Sequence, residues 1–388
     1  MNDIVLCKTE HNGKSFLTAA YYKDMQLSFL HMEPLHDGNY VPGTICIGKA
    51  ENRLKNLDST YVRIGESMYY LSGKTVKPGT ELPVRIVKNS IGNKRAAVDT
   101  RLTLTGRYCI VSTDPADPAG KEKISYSNKL TKGQKETISG WLCEIETCGY
   151  EITIRTNAAF AEKKDVTAEL EGLCGQMSEI LKRAATRTCF SVLYEPPDPG
   201  TGLLMEIRGE RPDRIVTDQK ALYEAVSRRR EAEPWLYGEI AGEQIVLWED
   251  PSVPLAAVYN LRRDTERLFE KKVYLKSGAF LVIEKTEAFV SIDVNSGKCT
   301  KGKKPEETYR AVNLEAAAEA VRQIILRNLS GMILIDFINM KDPDHREELL
   351  HVMRKELKRD PLRSEAVDLT KLGIMEIVRP RKGFSLFL

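Results

Sequence analysis

Two apolar stretches, residues 288–295 and 331–338, each carry an aspartate among residues that otherwise read as buried strand. That pairing constrains the chain more than any other feature. Phe280-Leu281-Val282-Ile283 forms a first strand and leads through residues 284–287 into Ala288-Phe289-Val290-Ser291-Ile292-Asp293-Val294-Asn295. Side chains alternate along a strand, so Ser291, Asp293 and Asn295 share one face while Val290, Ile292 and Val294 share the other. Ser296-Gly297 breaks the run and leaves Asp293 and Asn295 near its C-terminal end. Gly331-Met332-Ile333-Leu334-Ile335-Asp336-Phe337-Ile338 reads as a buried strand interrupted by Asp336. Burying a carboxylate alone would cost roughly several kcal/mol, so a cation or donor cluster is expected beside Asp336.

Two strand-borne carboxylates with the carboxamide of Asn295 make an all-oxygen ligand set of the kind that holds Mg2+ or Mn2+. Lys298, Lys301, Lys303 and Lys304 follow at once, a concentration of positive charge suited to phosphate. A metal beside phosphate-binding lysines points to phosphoryl transfer, with the ion polarising the phosphate and lowering the pKa of an attacking water. A lone strand aspartate would more simply cap or pair with a neighbour. The pair, with Asn295 and the lysine loop, favours the metal.

The order of short motifs through this region, Thr286-Glu287-Ala288, Ser291-Ile292-Asp293-Val294-Asn295-Ser296, Thr300-Lys301-Gly302, Glu306-Glu307-Thr308, Asn313-Leu314-Glu315-Ala316-Ala317, Leu326-Arg327-Asn328-Leu329-Ser330-Gly331 and Ile335-Asp336-Phe337-Ile338-Asn339-Met340, resembles the catalytic core of the ribonuclease E/G family. The resemblance implies endonucleolytic cleavage of single-stranded RNA to 5′-phosphate and 3′-hydroxyl ends, in the processing and decay of rRNA and mRNA. It implies metal ligation by Asp293 and Asp336, an orienting role for Asn295, and an acidic position near the metal at Glu287. The family commonly has an aspartate where this chain has Asn339.

At 388 residues the chain is long enough for several domains, and 42% hydrophobic with 29% charged residues is ordinary for a soluble protein. No apolar run is long enough to span a membrane, and the first residues lack a signal-peptide pattern, so a cytoplasmic location is expected. The net charge of +3 is too small to argue for nucleic acid by itself, and local clusters must carry that argument. The eight cysteines are scattered without a C-x-x-C pairing and read as free thiols, so no structural zinc is expected. His345 and His351 read as surface helix positions.

Residues 1–36 suggest a short β-meander that needs later sequence to pair with. Residues 37–106 hold five short strands at even spacing, the pattern of a small barrel such as an OB-fold. In it Tyr61 and Tyr70 would offer ring faces to unstacked bases, with Arg63, Lys88, Lys94 and Arg95 near the RNA backbone. A core tyrosine and a solvated lysine rim explain the same residues equally well. The family resemblance favours the first reading, since its RNA-binding barrel has stacking aromatics at the positions of Tyr61 and Tyr70 and an RNA-contacting lysine at Lys94. Residues 149–156 read as a strand ending on Arg155-Thr156, where the family forms a pocket for the 5′-monophosphate of RNA; there the family continues Ala-Gly and this chain Asn157-Ala158. Helices are expected over 168–185, 219–230 and 260–272, and a strand over 202–207. The arginines closing the 219–230 helix read as a solvated end. Beyond the lysine loop, Arg310, Arg322 and Arg327 would either reach phosphate or solubilise their helix, and residues 379–382 form a basic cluster fit to flank an RNA path.

The resulting expectation is an α+β, multidomain chain. An OB-fold (S1-like) barrel at 37–106 is inserted in an RNase H-like subdomain at 1–36 and 189–268. A 5′-sensor region occupies 107–188, and a DNase I-like α/β catalytic domain 269–388. The expected partner is single-stranded RNA, with a homo-oligomer left open. The zinc-linked dimer of the family does not carry over, because its C-x-x-C linkage and small C-terminal domain have no counterpart in these residues. A non-catalytic RNA-binding protein on the same scaffold, for example in ribosome maturation, is the alternative, and a DNA-directed phosphodiesterase a more distant one.

Overall fold

The computed structural model describes residues 2–11, 13–35, 40–54, 58–89, 96–116, 123–143, 145–238, 240–297 and 305–381. It is a mixed α/β chain that divides into two compact units, one of residues 1–35, 206–224 and 243–388, the other of residues 36–205 and 225–242.

In the first unit the N-terminal meander is longer than its sequence signal. Strands Asn2–His11, Lys14–Lys23 and Gln26–Pro34 pair antiparallel in turn. The later sequence they need is Arg214–Thr217, which pairs parallel to the first strand and then to Ile245–Leu247. Val5, Cys7, Ala20 and Tyr22 from this sheet pack with Leu255, Leu261 and Leu268. Asp3 is fully buried there and satisfied by the Arg214 fork, two bonds of 3.0 Å, and by the Tyr259 hydroxyl.

A second sheet of six strands completes this unit, in the order Lys272–Tyr274, Phe280–Lys285, Phe289–Asn295, Gly331–Asp336, Ile374–Arg379, Glu365–Leu369. Only Phe289–Asn295 and Gly331–Asp336 are parallel neighbours within it. A parallel connection needs a crossover, and helix Pro305–Leu326 supplies one. Leu281, Ile283, Val290, Ile292, Val294, Ile333, Ile335, Met375 and Ile377 all point to the face that this helix and Pro343–Leu357 cover. Each such burial stabilises the fold by about 1.5–3 kcal/mol. The period-2 alternation sends Ser291, Asp293, Leu334 and Asp336 to the opposite face.

In the second unit five strands, Ile45–Leu54, Ser59–Ile64, Ser67–Ser72, Ala97–Asp99 and Glu81–Lys88, close on themselves, because the last pairs back to the first. Val62, Ile64, Tyr69, Leu71, Val84 and Ile86 fill this closed barrel, which is OB-like. Beside it in sequence, Lys123–Tyr126, Glu151–Ile154, Cys109–Thr113 and Leu102–Thr105 make a four-stranded sheet. Helix Lys163–Ala184 lays Val166, Leu170, Leu173, Met177 and Ile180 on its core.

The expected strand over 202–207 is instead part of the helix Pro199–Glu206. Asp198 caps it, accepting the N–H groups of Gly200 at 2.9 Å and Thr201 at 3.0 Å and the Thr201 hydroxyl at 2.6 Å. An Asp-Pro pair that reads as a turn is here an N-cap followed by proline at the first helical position. Of the three arginines in helix Lys220–Ala232, Arg228 is exposed as a solvated end would be, but Arg229 and Arg230 are not. Arg229 pairs with Glu233 and donates to the Glu195 and Pro196 carbonyls, and Arg230 donates to Ile240. All seven cysteines among the described residues are free thiols.

Candidate active site

Strands Phe289–Asn295 and Gly331–Asp336 run parallel with Asp293 directly opposite Asp336. In-register residues of neighbouring strands project to one face, about 4.8 Å apart at the backbone. The two carboxylates therefore stand side by side at the C-terminal ends of adjacent central strands, both exposed. Asn295, two residues on, lies on the same face and donates its amide N–H to Asp293 at 2.7 Å. That bond leaves the carboxamide oxygen as a third ligand atom. Neither aspartate forms an ion pair among the described residues, which also contain no group of three or more His, Cys, Asp or Glu side chains able to hold a metal. Two carboxylates and one carboxamide still suit Mg2+, which keeps several waters and takes only one or two protein carboxylates.

Asp336 departs from expectation in one respect. It is the last residue of its strand and exposed, so no buried cation is needed to offset it. Glu287 is not beside the pair. It lies in the hairpin turn between Lys285 and Val290, and Asp293 is three residues along the strand from Val290, about 10 Å away. Lys298, Lys301, Lys303 and Lys304 lie outside the described residues, as do Lys94, Arg95 and Lys382.

The ends of the two carboxylate strands are held from beneath by side chains that the sequence gives only as parts of motifs, with no role assigned. Asn313, fully buried in helix Pro305–Leu326, donates to the Ile338 carbonyl at 2.7 Å and accepts the Ile338 N–H at 3.1 Å. It grips the chain two residues past Asp336 as a neighbouring strand would. Glu306 of the same helix accepts the N–H groups of Lys341 at 2.9 Å and Asp342 at 3.2 Å. Glu315 accepts those of Lys276 at 2.8 Å and Ser277 at 3.3 Å. The turn so fixed approaches Gly297, where a Cβ would meet the Gly278 carbonyl oxygen at 2.4 Å, and Gly297 has φ +58°. Only glycine serves there, directly after Asn295 and Ser296. One signal for Asn313 was available: asparagine is a poor helix-interior residue, and one amid Ala and Leu has a reason to be there.

The arginines for which phosphate contact or a solubilising role was open are held by protein groups. Arg327 is fully buried; its Nε donates to Gln323 at 2.6 Å and its Nη1 to the Glu270 carbonyl at 2.8 Å, and burial lowers its pKa to about 10. Arg310 forms a two-bond pair with Glu348, and Arg322 one with Glu319. Arg379 is buried against the fully buried Asp360 and donates to Leu329, so it does not flank an open path. His345 is half-buried, 3.7 Å from both Glu306 and Asp342, whereas His351 is exposed as expected.

In the second unit Tyr61 and Tyr70 are directly paired across two barrel strands and half-buried on the outer face, ring centroids 6.0 Å apart. Tyr70 bonds Ser59 at 2.6 Å. Arg63, on the same face, pairs with Glu51 and lies over the Phe190 ring. Arg155 follows strand Glu151–Ile154, and its Nη1 donates to the carbonyls of Gly106 and Met205. Thr156 bonds Ser127 at 2.9 Å. The Gly106 turn is itself built on Glu169, wholly buried, which accepts the N–H groups of Arg107, Tyr108 and Cys109 at 2.6–2.8 Å. Burial pushes its carboxyl up to about 7, against the opposing pull of those bonds and of the Arg155 charge.

The chain is thus a mixed α/β protein with a closed, OB-like five-stranded barrel and, on a mixed sheet, an exposed pair of carboxylates. The chain belongs to the Ribonuclease E/G family, whose model matches residues 103–382. It is 25% identical over 393 residues to Ribonuclease E of Synechocystis sp., covering 96% of this chain and 56% of the relative. It is 28% identical over 357 residues to Ribonuclease G of Escherichia coli (strain K12), covering 91% and 68%, and 27% identical over 351 residues to that of Salmonella typhimurium, covering 89% and 66%. The chain thus spans about half to two thirds of the length of these relatives.

Proposed function

We propose that this chain is a Mg2+-dependent endoribonuclease that cuts single-stranded RNA to 5′-phosphate and 3′-hydroxyl ends, acting in the cytoplasm on rRNA and mRNA. The observation that carries the reading is the register of Asp293 against Asp336 on an exposed face. Membership of a family whose relatives are named ribonucleases supports it. Asp293 and Asp336 would hold the Mg2+, or Mn2+ in its place. When bound, the ion supplies Lewis-acid polarisation of the phosphate and lowers the pKa of a bound water. Asn295 fixes the orientation of Asp293 and of the phosphate. Lys301, Lys303 and Lys304 offset charge developing on the phosphate oxygens. A water nucleophile needs no Ser-His or Cys-His pair.

The remaining parts of the reading follow the four-domain scheme. The barrel at 37–106, S1-like, holds RNA by Tyr61, Tyr70 and Lys94. Arg155 and Thr156 in the 107–188 region sense the 5′ end. Residues 1–36 with 189–268 form the RNase H-like part, and 269–388 the DNase I-like catalytic part.

The test is a Mg2+ titration of cleavage on a 5′-labelled unstructured RNA. Asp293→Asn and Asp336→Asn should each lower the rate by about a thousandfold or more, the several kcal/mol a metal contributes. Folding and most RNA binding should be retained. Unchanged turnover in either variant removes the assignment, and RNA binding without Mg2+-stimulated scission by the unaltered chain would favour the non-catalytic alternative.

A further inference from the structure

The outer strand Lys272–Tyr274 pairs antiparallel with Phe280–Lys285, matching Lys272 to Val282, Val273 to Leu281 and Tyr274 to Phe280. Val273 packs toward the hydrophobic core, so Lys272 and Tyr274 stand on the opposite face, the one that carries Asp293 and Asp336. Following the register across the sheet gives two adjacent rows. One runs Tyr274, Phe280, Asn295; the other Lys272, Val282, Asp293, Asp336.

Tyr274 is 70% exposed, an unusual state for so large a ring. Phe280 is half-buried beside it, ring centroids 6.1 Å apart and tilted by 54°. The Lys272 ammonium lies 3.6 Å from the Phe280 centroid and 5.0 Å from that of Tyr274. Two ring faces with a cation held over them are the materials of single-strand nucleic-acid binding, where bases stack on aromatics and the positive charge follows the backbone. Two inter-strand spacings separate Tyr274 from Asn295, about 10 Å. That is the reach of a base belonging to a nucleotide next to the one whose phosphate sits at the carboxylates.

We infer that Tyr274 and Phe280, with Lys272, form a stacking platform for a nucleobase of the RNA strand flanking the scissile phosphate. This rests on the endoribonuclease reading above and adds a subsite to it. The platform reads ring surface and so favours an unpaired base of any kind over a missing one. The competing role for the same residues is protective, a lysine and its rings guarding an outer strand against pairing with another chain.

The test uses the full chain, an unstructured RNA oligonucleotide with one cleavage site, and a series in which a single flanking nucleotide is made abasic. Tyr274→Ala should raise KM on intact RNA by about five- to tenfold, the lower part of the range for losing one stacked base, with kcat unchanged. Tyr274→Phe should behave as the unaltered protein. On the RNA whose abasic position matches the platform, the unaltered protein should show the same rise in KM, and Tyr274→Ala should add nothing to it. An equal loss on intact and abasic RNA, no loss at all, or no abasic position that matters would overturn the platform. If the unaltered protein cuts no RNA, the nuclease reading fails alone. The platform is then judged by anisotropy binding of the same oligonucleotides in Mg2+, under the same criteria.

Discussion

Asp293 and Asp336 end neighbouring strands with their carboxylates in the open, whereas Glu169 is wholly enclosed and takes three backbone N–H bonds. The chemical group is the same, and its surroundings decide its work. The open pair presents its carboxylate oxygens at the surface, where Asn295 donates to Asp293. The enclosed carboxylate has spent its lone pairs on residues 107–109, and the fold around it depends on that. Gly106 shows how tight this enclosure is: a Cβ there would meet a Glu169 oxygen at 2.4 Å. Acidic residues that read alike in a sequence thus divide into an exposed pair proposed for chemistry and an enclosed group built into the fold.

The largest expected departure concerns Glu169. Its carboxyl sits near 7 in the folded chain against 4.5 for an unperturbed glutamate. Between those values the folded state holds the proton more often than the unfolded one, so stability falls as pH rises from about 4.5 to about 7. The difference corresponds to about 3 kcal/mol once both values are passed. Glu169→Gln cannot titrate and should lack this slope. Urea melts of both proteins at pH 5 and pH 8 measure it. The unaltered protein should lose more midpoint between the two conditions than the variant does, and equal losses would mean that Glu169 keeps an ordinary carboxylate's behaviour.

Next in size is the support under the open pair. Asn313→Ala would strip both bonds from Ile338 and let the chain beyond Asp336 drift. A misplacement near 1 Å costs roughly a hundredfold in rate at most, so a fall in kcat of about ten- to a hundredfold is expected with KM little changed. Steady-state kinetics on the oligonucleotide used for the Mg2+ titration separates the two constants. Unaltered kcat would show that the Gly331–Asp336 strand holds its aspartate without help, and the contrast between a site for chemistry and a supporting architecture would then narrow to Glu169.

Much of the open site was legible because strand alternation is a strict geometric rule. Once Val290, Ile292 and Val294 are assigned inward, Asp293 and Asn295 must face out. Asp336 was harder, because an unbroken apolar run around it reads as strand buried on both faces, whereas it ends its strand in the open. Closure of the barrel was legible for a similar reason, as even strand spacing with glycine turns leaves few other solutions. Charge by itself was a poor guide. Arg379 finds Asp360 across 19 residues and Arg310 finds Glu348 across 38, partners that no local pattern announces. The row from Tyr274 to Asn295 was hidden for the same reason. It exists only through the register of three strands, and Tyr274 reads locally as one more apolar residue in a short run.

Arg155 tests whether a charged group can serve architecture and binding together. Its Nη1 already donates to Gly106 and Met205, which anchors it to the turn that Glu169 builds. A guanidinium carries five N–H donors in a planar fork, the geometry that suits a terminal phosphate. Arg155→Ala should therefore erase any preference for 5′-monophosphorylated over 5′-hydroxyl RNA. A charge-assisted bond of about 1.5–3 kcal/mol corresponds to tenfold or more in kcat/KM. Activity on 5′-hydroxyl RNA should stay close to that of the unaltered chain, because that substrate never uses the contact. Arg155→Lys keeps the charge without the fork and should recover only part of the preference. If Arg155→Ala instead lowers both substrates equally, Arg155 is a strut for the Gly106 turn and belongs with Glu169, on the architectural side of the comparison.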